Sequence, residues 1–264
     1  MWCMMADREF CDCGSENILA EVINEHGRDK FYALVSGGKD SITAAVVTDR
    51  LKKLEGVIFV DTTIGVAETR EFVESVCNDR GWNLVILRPK VTYDDMVMRY
   101  GFPGAPHHRM SFIYLKWQPI YYWIRHHKDR DRIALISGVR RHESKRRGRN
   151  TERIRIDGTC KHMVWVAPII EWTDAQVWDF IRREGLKISP CYEKLHISGD
   201  CLCGAYSKRG EAELIHAFYP EIAERLRDLE RRCPHKRCRW GNQSSMGGVK
   251  CQTSMEDYLC ADCR

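Results

Sequence analysis

No uninterrupted apolar run in the chain approaches the roughly 20 residues a membrane-spanning helix needs. The first residues, MWCMMADREFCDCG, lack the basic and apolar regions of a secretory signal, so a cytoplasmic location is expected. Internal repeats and low-complexity blocks are also missing, which excludes a solenoid or a biased linker. A Walker A loop, GxxxxGK[ST], is not found either.

What remains is a globular composition. The 264 residues are 44% apolar and 10% aromatic, ample for a buried core and too much for a disordered chain. The length fits one large domain with a small appendage. Lys and Arg number 42 against 37 Asp and Glu, a net charge of +5 that is unevenly spread. Eight Lys/Arg lie between Arg140 and Arg155, including Arg146, Arg147 and Arg149. That local field suits an anionic partner, either nucleotide phosphates or a nucleic-acid backbone.

Thirteen cysteines in a chain without a secretory signal point to metal or catalysis rather than disulfides. Eight follow residue 190: Cys191, Cys201, Cys203, Cys233, Cys238, Cys251, Cys260 and Cys263. Cys201-Leu202-Cys203 is one tight pair and Cys260-Ala261-Asp262-Cys263 another. Brought together they make a four-thiolate site suited to a [4Fe–4S] cluster or to tetrahedral Zn²⁺. Cys233 and Cys238, with His235 and Cys251, are an alternative zinc set.

Apolar runs at 31–35, 57–61, 84–87, 133–137 and 163–167 alternate with helical patterns near 41–54, 68–80 and 110–127. Buried strands separated by helices predict a doubly wound α/β fold with a mostly parallel sheet, which binds ligands at the strands' carboxyl ends. Thr173 is placed to cap a helix over 173–184, which Gly185 and Pro190 terminate, and one further helix is expected over 211–231. The expected organisation is an N-terminal extension (1–28), a nucleotide-binding domain (29–190) and a helical, Cys-rich, metal-stapled region (191–264).

Ser36-Gly37-Gly38-Lys39-Asp40-Ser41 follows the first strand and opens a helix. Two glycines permit a tight turn with exposed N–H groups, the helix N-terminus adds partial positive charge, and Lys39, Ser36 and Ser41 add a cation and hydroxyls. The loop suits an anion of pyrophosphate size. SGGKDS resembles the PP-loop of the ATP pyrophosphatase superfamily. The segments at 57–73 (VIFVDTTIGVAETREFV), 136–147 (ISGVRRHESKRR) and 168–181 (PIIEWTDAQVWDFI) are similar to its phosphoadenosine-phosphosulfate (PAPS) reductase branch.

This resemblance spans roughly residues 30–220 and implies an adenine nucleotide alpha hydrolase-like fold. It implies that Ser36, Gly37, Gly38, Lys39, Asp40 and Ser41 hold phosphates and that Asp61 and Thr62 lie near the nucleoside. Gly138, Arg140 and Arg141 would line the anionic side, with Lys39, Arg140 and Arg141 as the catalytic cations. The implied cofactors are ATP, PAPS or adenylylsulfate (APS), with Mg²⁺, and a cluster at Cys201, Cys203, Cys260 and Cys263. The family's Glu-Cys-Gly-Leu-His type tail is replaced by Leu259-Cys260-Ala261-Asp262-Cys263-Arg264, and His107-His108 stands where cluster-bearing APS reductases place adjacent cysteines. The expected activity is therefore ATP α-phosphate cleavage coupled to sulfur or adenylyl transfer. Sulfite-forming PAPS/APS reduction and a nucleotide-sensing or nucleic-acid-binding module are the alternatives. Expected partners are a sulfur-donor or electron-donor protein and a nucleic acid at residues 140–155.

Overall fold

The computed structural model describes residues 13–143, 151–235 and 239–241. Its frame is a six-stranded sheet in the order β3-β2-β1-β4-β6-β5. The strands are β1 (Lys30–Leu34), β2 (Gly56–Val60), β3 (Leu84–Leu87), β4 (Ile133–Ile136), β5 (Ile154–Ile156) and β6 (Val164–Val166). All pairings are parallel except β5 against β6. Central β1 pairs on both sides, with Ala33 opposite Val57 of β2 and Ile136 of β4.

The continuous apolar runs are explained by burial on both faces. Phe31, Ala33, Val57, Phe59, Ala134, Ile136, Val164 and Val166 point into one core. Their strand neighbours Tyr32, Ile58, Val60, Ile133, Leu135 and Trp165 point into the other. Side-chain alternation along each strand divides them this way. The first core is closed by α1 (Cys13–His26), α2 (Lys39–Lys52), α3 (Ala67–Arg80) and α7 (Asp174–Arg183). The second is closed by Ile120 and Ile124 of α6 (Gln118–His126). The chain leaves β1 towards β2 and β3 and returns to β4 on the other side, so the sheet's switch point lies between β1 and β4. In such sheets a crevice opens there at the strands' carboxyl ends.

A third core joins α4 (Tyr93–Tyr100) to the later helices α8 (Pro190–Leu195), α9 (Glu211–Phe218) and α10 (Pro220–Arg232). Tyr93, Met96, Leu195, Leu202, Ile215 and Leu226 are buried within it. Residues 191–235 thus build onto the sheet-bearing part through apolar packing.

The expected helix over 211–231 is two helices, because Pro220 starts the second and has no N–H with which to continue the first. Thr173 does cap α7: its hydroxyl accepts the Gln176 N–H, and the Gln176 side chain returns the bond. Within the expected N-terminal extension, α1 sets Leu19 and Val22 into the first core. Strand β5, Ile-Arg-Ile, was hidden in the basic stretch; as an antiparallel edge strand it needs little apolar content. Among the described residues, no helix is long and apolar enough to cross a membrane.

Candidate functional site

The SGGKDS loop connects β1 to α2 at the switch point. Gly37 takes the left-handed conformation at φ +86°, which a side chain would strain. Gly38 is the N-cap of α2 and offers no side-chain cap to the helix's first N–H groups. The loop is tied by its own hydroxyls: Ser41 Oγ donates to the Gly38 carbonyl at 2.8 Å and accepts the Ser36 N–H at 3.2 Å. Gly138, just after β4, lies against this turn. A Cβ there would sit 2.5 Å from the Asp40 carbonyl carbon and the Ser41 nitrogen. The two strand ends approach so closely because residue 138 has no side chain.

A cleft opens beside this contact. Ser36, Ser41, Ser137 and Gly138 form one wall. Ile58, Val60, Ile120 and Trp165 provide apolar surface. Phe112, Lys116 and Asp200 also line it. Lys116 Nζ donates to Asp200 at 2.7 Å, and Ser198 Oγ donates to the same carboxylate at 2.7 Å. Phe112, Lys116 and Ile120 belong to one long helical segment: α5 (His108–Phe112), a π-helical turn (Ile113–Trp117) and α6. Hydroxyls, a cation and an apolar slot in one crevice suit a nucleotide's phosphates and base.

The loop's own charged side chains are engaged elsewhere. Lys39 Nζ lies 3.1 Å from both Asp40 Oδ2 and Asp174 Oδ1. Arg140, only 1% exposed, donates from Nε to Asp40 Oδ1 at 2.8 Å, from one terminal nitrogen to Asp174 at 3.0 Å and from the other to the Trp172 carbonyl. Two cations and two carboxylates therefore fasten the phosphate loop to the segment after β4 and to the start of α7. Burial disfavours the Asp174 carboxylate, but Lys39 and Arg140 outweigh that effect and hold its pKa below the ordinary value.

Of the residues expected at the site, Ser36, Ser41 and Gly138 line the cavity, and Gly37 and Gly38 shape the turn. Lys39, Asp40 and Arg140 form the ion cluster beneath it. Arg141 pairs with Glu171 and donates to the Thr151 carbonyl. Asp61 accepts the Thr63 N–H and pairs with Arg88 at 2.8 Å, while the Thr62 hydroxyl donates to the Asp200 carbonyl at 2.6 Å. Lys39, Arg140, Arg141, Asp61 and Thr62 are thus outside the cavity lining. Lys116, Asp200 and Ser137 are the lining residues that sequence reasoning missed. A signal for Lys116 was available in its spacing of four residues from both Phe112 and Ile120.

Cys201 and Cys203 directly follow Asp200 and hydrogen-bond to each other. That bond draws the Cys203 thiol down to about 7 against the effect of burial, with help from the Lys116 charge and the Ser111 hydroxyl. The same bond, with burial, leaves Cys201 well above the ordinary thiol value. Cys260, Cys263, Cys238 and Cys251 lie outside the described residues, as do Arg146, Arg147 and Arg149. The described part therefore presents one thiol pair, whose soft donors fit half of a four-thiolate site. His107 is exposed, whereas His108 is buried with its ring 4.9 Å from that of Tyr206.

The phosphoadenosine phosphosulfate reductase domain matches residues 30–252. The chain belongs to that family. An uncharacterised protein of Methanocaldococcus jannaschii is 27% identical over 88% of this chain and 48% of its own length. The chain thus spans about half the length of that relative. Adenosine 5'-phosphosulfate reductase 1 of Bacillus subtilis is 27% identical over 71% of this chain and 78% of its own. Among solved structures, the PAPS reductase of Candida auris in a phosphate complex aligns at a TM-score of 0.50, with 16% identity over 68% of this chain and 83% of its own. The NH3-dependent NAD synthetase of Campylobacter jejuni aligns at 0.51, with 14% identity over 84% of this chain and 92% of its own. These two likenesses agree with the mostly parallel sheet expected for the PAPS reductase family.

The buried ion cluster yields an unequal pair of variants. Arg140→Ala leaves Asp40 without its strongest partner in a dry site, so a loss of about 3–5 kcal/mol is expected on urea unfolding. Asp174→Asn should be milder, because that side chain is 61% exposed. Its signature is in pH. The folded pKa of Asp174 lies below the unfolded one, so its contribution is present above the ordinary carboxylate pKa and is lost as pH falls through the folded value. Asp174→Asn should flatten that part of the stability profile, and an unchanged acid limb would refute the assignment.

Proposed function

We propose that this PAPS reductase family member binds an adenine nucleotide in the switch-point cavity and cleaves ATP at the α-phosphate, coupled to sulfur or adenylyl transfer. The observation that carries the reading is the cavity itself, whose lining joins Ser36, Ser41 and Ser137 with Lys116 and apolar side chains. The base occupies the slot, and the phosphates meet the hydroxyls and the N-terminus of α2. An acceptor nucleophile attacks the α-phosphorus, the bridging α–β P–O bond breaks and pyrophosphate leaves. A nucleophilic sulfur from a donor protein then displaces AMP from the adenylated acceptor. Lys116 offsets negative charge on the phosphates, a task first expected of Lys39, while Lys39, Asp40 and Arg140 hold the loop in shape. Mg²⁺ accompanying the triphosphate supplies further charge neutralisation, and Asp200 is the carboxylate lining the cavity.

A second reading, APS or PAPS reduction, is favoured by the Bacillus relatives named adenosine 5'-phosphosulfate reductases. There a thiolate attacks the sulfonucleotide sulfur, and AMP leaves from APS or adenosine 3',5'-bisphosphate from PAPS. A second thiol then releases sulfite as a disulfide forms.

For the metal, Cys201 and Cys203 are the first pair of ligands and Cys260 and Cys263 the second, holding a [4Fe–4S] cluster or Zn²⁺. Such a centre ties the C-terminal region to the loop after Asp200. A nucleic-acid acceptor would meet the basic residues between Arg140 and Arg155.

Lys116→Met should weaken ATP-analogue binding by tenfold or more in calorimetry, the loss of a charge-assisted contact worth about 1.5–3 kcal/mol. Equal affinity would remove Lys116 from the phosphate site. Incubation with ATP, a sulfur donor and the acceptor should yield AMP and pyrophosphate. Sulfite released from APS in the presence of a dithiol, and lost in Cys263→Ser with metal retained, would establish the reductase instead. Protein prepared without oxygen should be brown and carry about four iron atoms per chain. Cys203→Ser should strip the metal, whereas Cys77→Ser, at a thiol that burial pushes up to about 11, should leave it. Colourless protein with one zinc would replace the cluster by a structural staple.

A further inference from the structure

From Met96 to Lys128 the chain has no Asp or Glu in 33 residues, although its average of 37 in 264 would put between four and five there. The same stretch holds five Lys/Arg, four His and eight aromatic residues. It forms the end of α4 and the long helical segment whose inner side, Phe112, Lys116 and Ile120, lines the cavity. Tyr122 and Arg125 fall on the opposite side and are exposed, while Trp117 and Tyr121 are partly buried against the second core and Tyr114 against the third. A solvent-facing helix surface ordinarily carries Glu and Lys there.

The rings form a strip of two groups along this segment. Tyr100 stacks on Tyr114 at 5.8 Å and 20°, and Trp117 stacks on Tyr121 at 4.7 Å and 13°. Tyr122 meets Tyr121 edge-on at 5.5 Å. Cations border the strip: Arg99 over Tyr100, Arg125 over Tyr121 and Lys90 over Tyr122, at 5.5, 5.8 and 4.7 Å. Tyr100 and Tyr122 remain 41% and 42% exposed. Carboxylates around the strip are engaged: Asp157 accepts the Trp117 Nε1–H at 3.2 Å, Asp94 pairs with Arg225, Asp61 with Arg88, and Asp95 joins Thr92 in the cap of α4.

We propose that this strip binds single-stranded nucleic acid, with unstacked bases on Tyr100 and Tyr122 and the backbone along Arg99, Arg125 and Lys90. Charge complementarity selects a polyanion, since cations border the strip and no carboxylate lies within its 33 residues. The aromatic faces select exposed bases over a duplex, whose bases are already stacked. The surface is distinct from the basic stretch after Arg140. Binding at it does not require turnover in the cavity, although the shared helix would bring a bound strand to the cavity's neighbourhood.

The test uses the full chain and a fluorescein-labelled, mixed-sequence RNA of about 12 nucleotides, within single-strand site sizes. The matching DNA strand and the duplex are compared by anisotropy over a salt series. Both single strands should bind better than the duplex, with affinity falling as salt rises. Tyr100→Ala combined with Tyr122→Ala should weaken binding at least tenfold, since each base–aromatic stack contributes roughly fivefold or more. Arg99→Glu with Arg125→Glu should reduce the salt slope, and Arg182→Glu on α7 should change neither. Neither tyrosine lines the cavity, so ATP-analogue affinity should persist in the double variant, which separates failure of the strip from failure of the nucleotide pocket. Wild-type affinity in that variant, duplex preference or no binding to any strand would overturn the proposal. So would a concentration-dependent dimer that Tyr122→Ala dissociates, because the strip would then be an interface between copies.

Discussion

The four-charge cluster of Lys39, Asp40, Arg140 and Asp174 is the constraint on which the site depends. Loops at the ends of parallel strands have no ladder to hold them, yet a phosphate cradle must keep its N–H groups in one arrangement. Here the restraint comes from below. Asp40, the second residue of α2, receives Arg140 from beyond β4, and Arg140 also holds Asp174 at the start of α7. Three segments far apart in sequence are pinned at one point beside the switch of strand order. Such a cluster adds little net stability over an apolar replacement, but removing one member leaves a buried charge uncompensated. Its value is geometric: the turn from Ser36 to Ser41 and the glycine contact at Gly138 keep a fixed spacing.

That arrangement alters how the motif's charges are read. In SGGKDS the lysine draws the eye as the phosphate ligand. Its ammonium also lies 3.1 Å from two carboxylates, Asp40 and Asp174, which tie it to the start of α7. The cavity's cation comes from Lys116, more than seventy residues later, on the helix that covers the second core. Each lysine is held by a carboxylate, Lys39 by Asp40 and Asp174 under the loop and Lys116 by Asp200 in the cavity lining.

The five parallel strands were legible because each carries an unbroken apolar run, as burial on both faces requires, whereas the antiparallel edge strand β5 was not. The phosphate loop was legible because glycine, helix start and strand end coincide in six residues. What escaped was whatever depends on distant partners. Asp61 and Thr62 stand at a strand end as expected, but Arg88 and the Asp200 carbonyl take up their side chains. Arg140 and Arg141 follow β4 in a run of basic residues that looks uniform in sequence, while one is buried in the ion cluster and the other pairs with Glu171. Local pattern specifies an element; the direction of a long polar side chain is decided by the charges that tertiary packing brings to it.

The helix over residues 108–126 carries that point one step further. A regular α-helix advances 3.6 residues per turn, so side chains spaced by four drift steadily around the axis. The π-helical turn at Ile113–Trp117 is wider, and its drift runs the other way. Inserted mid-helix, it compensates, so that Phe112, Lys116 and Ile120 all reach one cavity. The same correction keeps Trp117, Tyr121 and Arg125 aligned along one flank, where Trp117 and Tyr121 stack and pack on the second core and Arg125 meets the Tyr121 ring. One local widening therefore serves both surfaces of the helix. A sequence pattern read at strict 3.6 periodicity blurs the two sides together, because the residues that belong to each repeat every four positions.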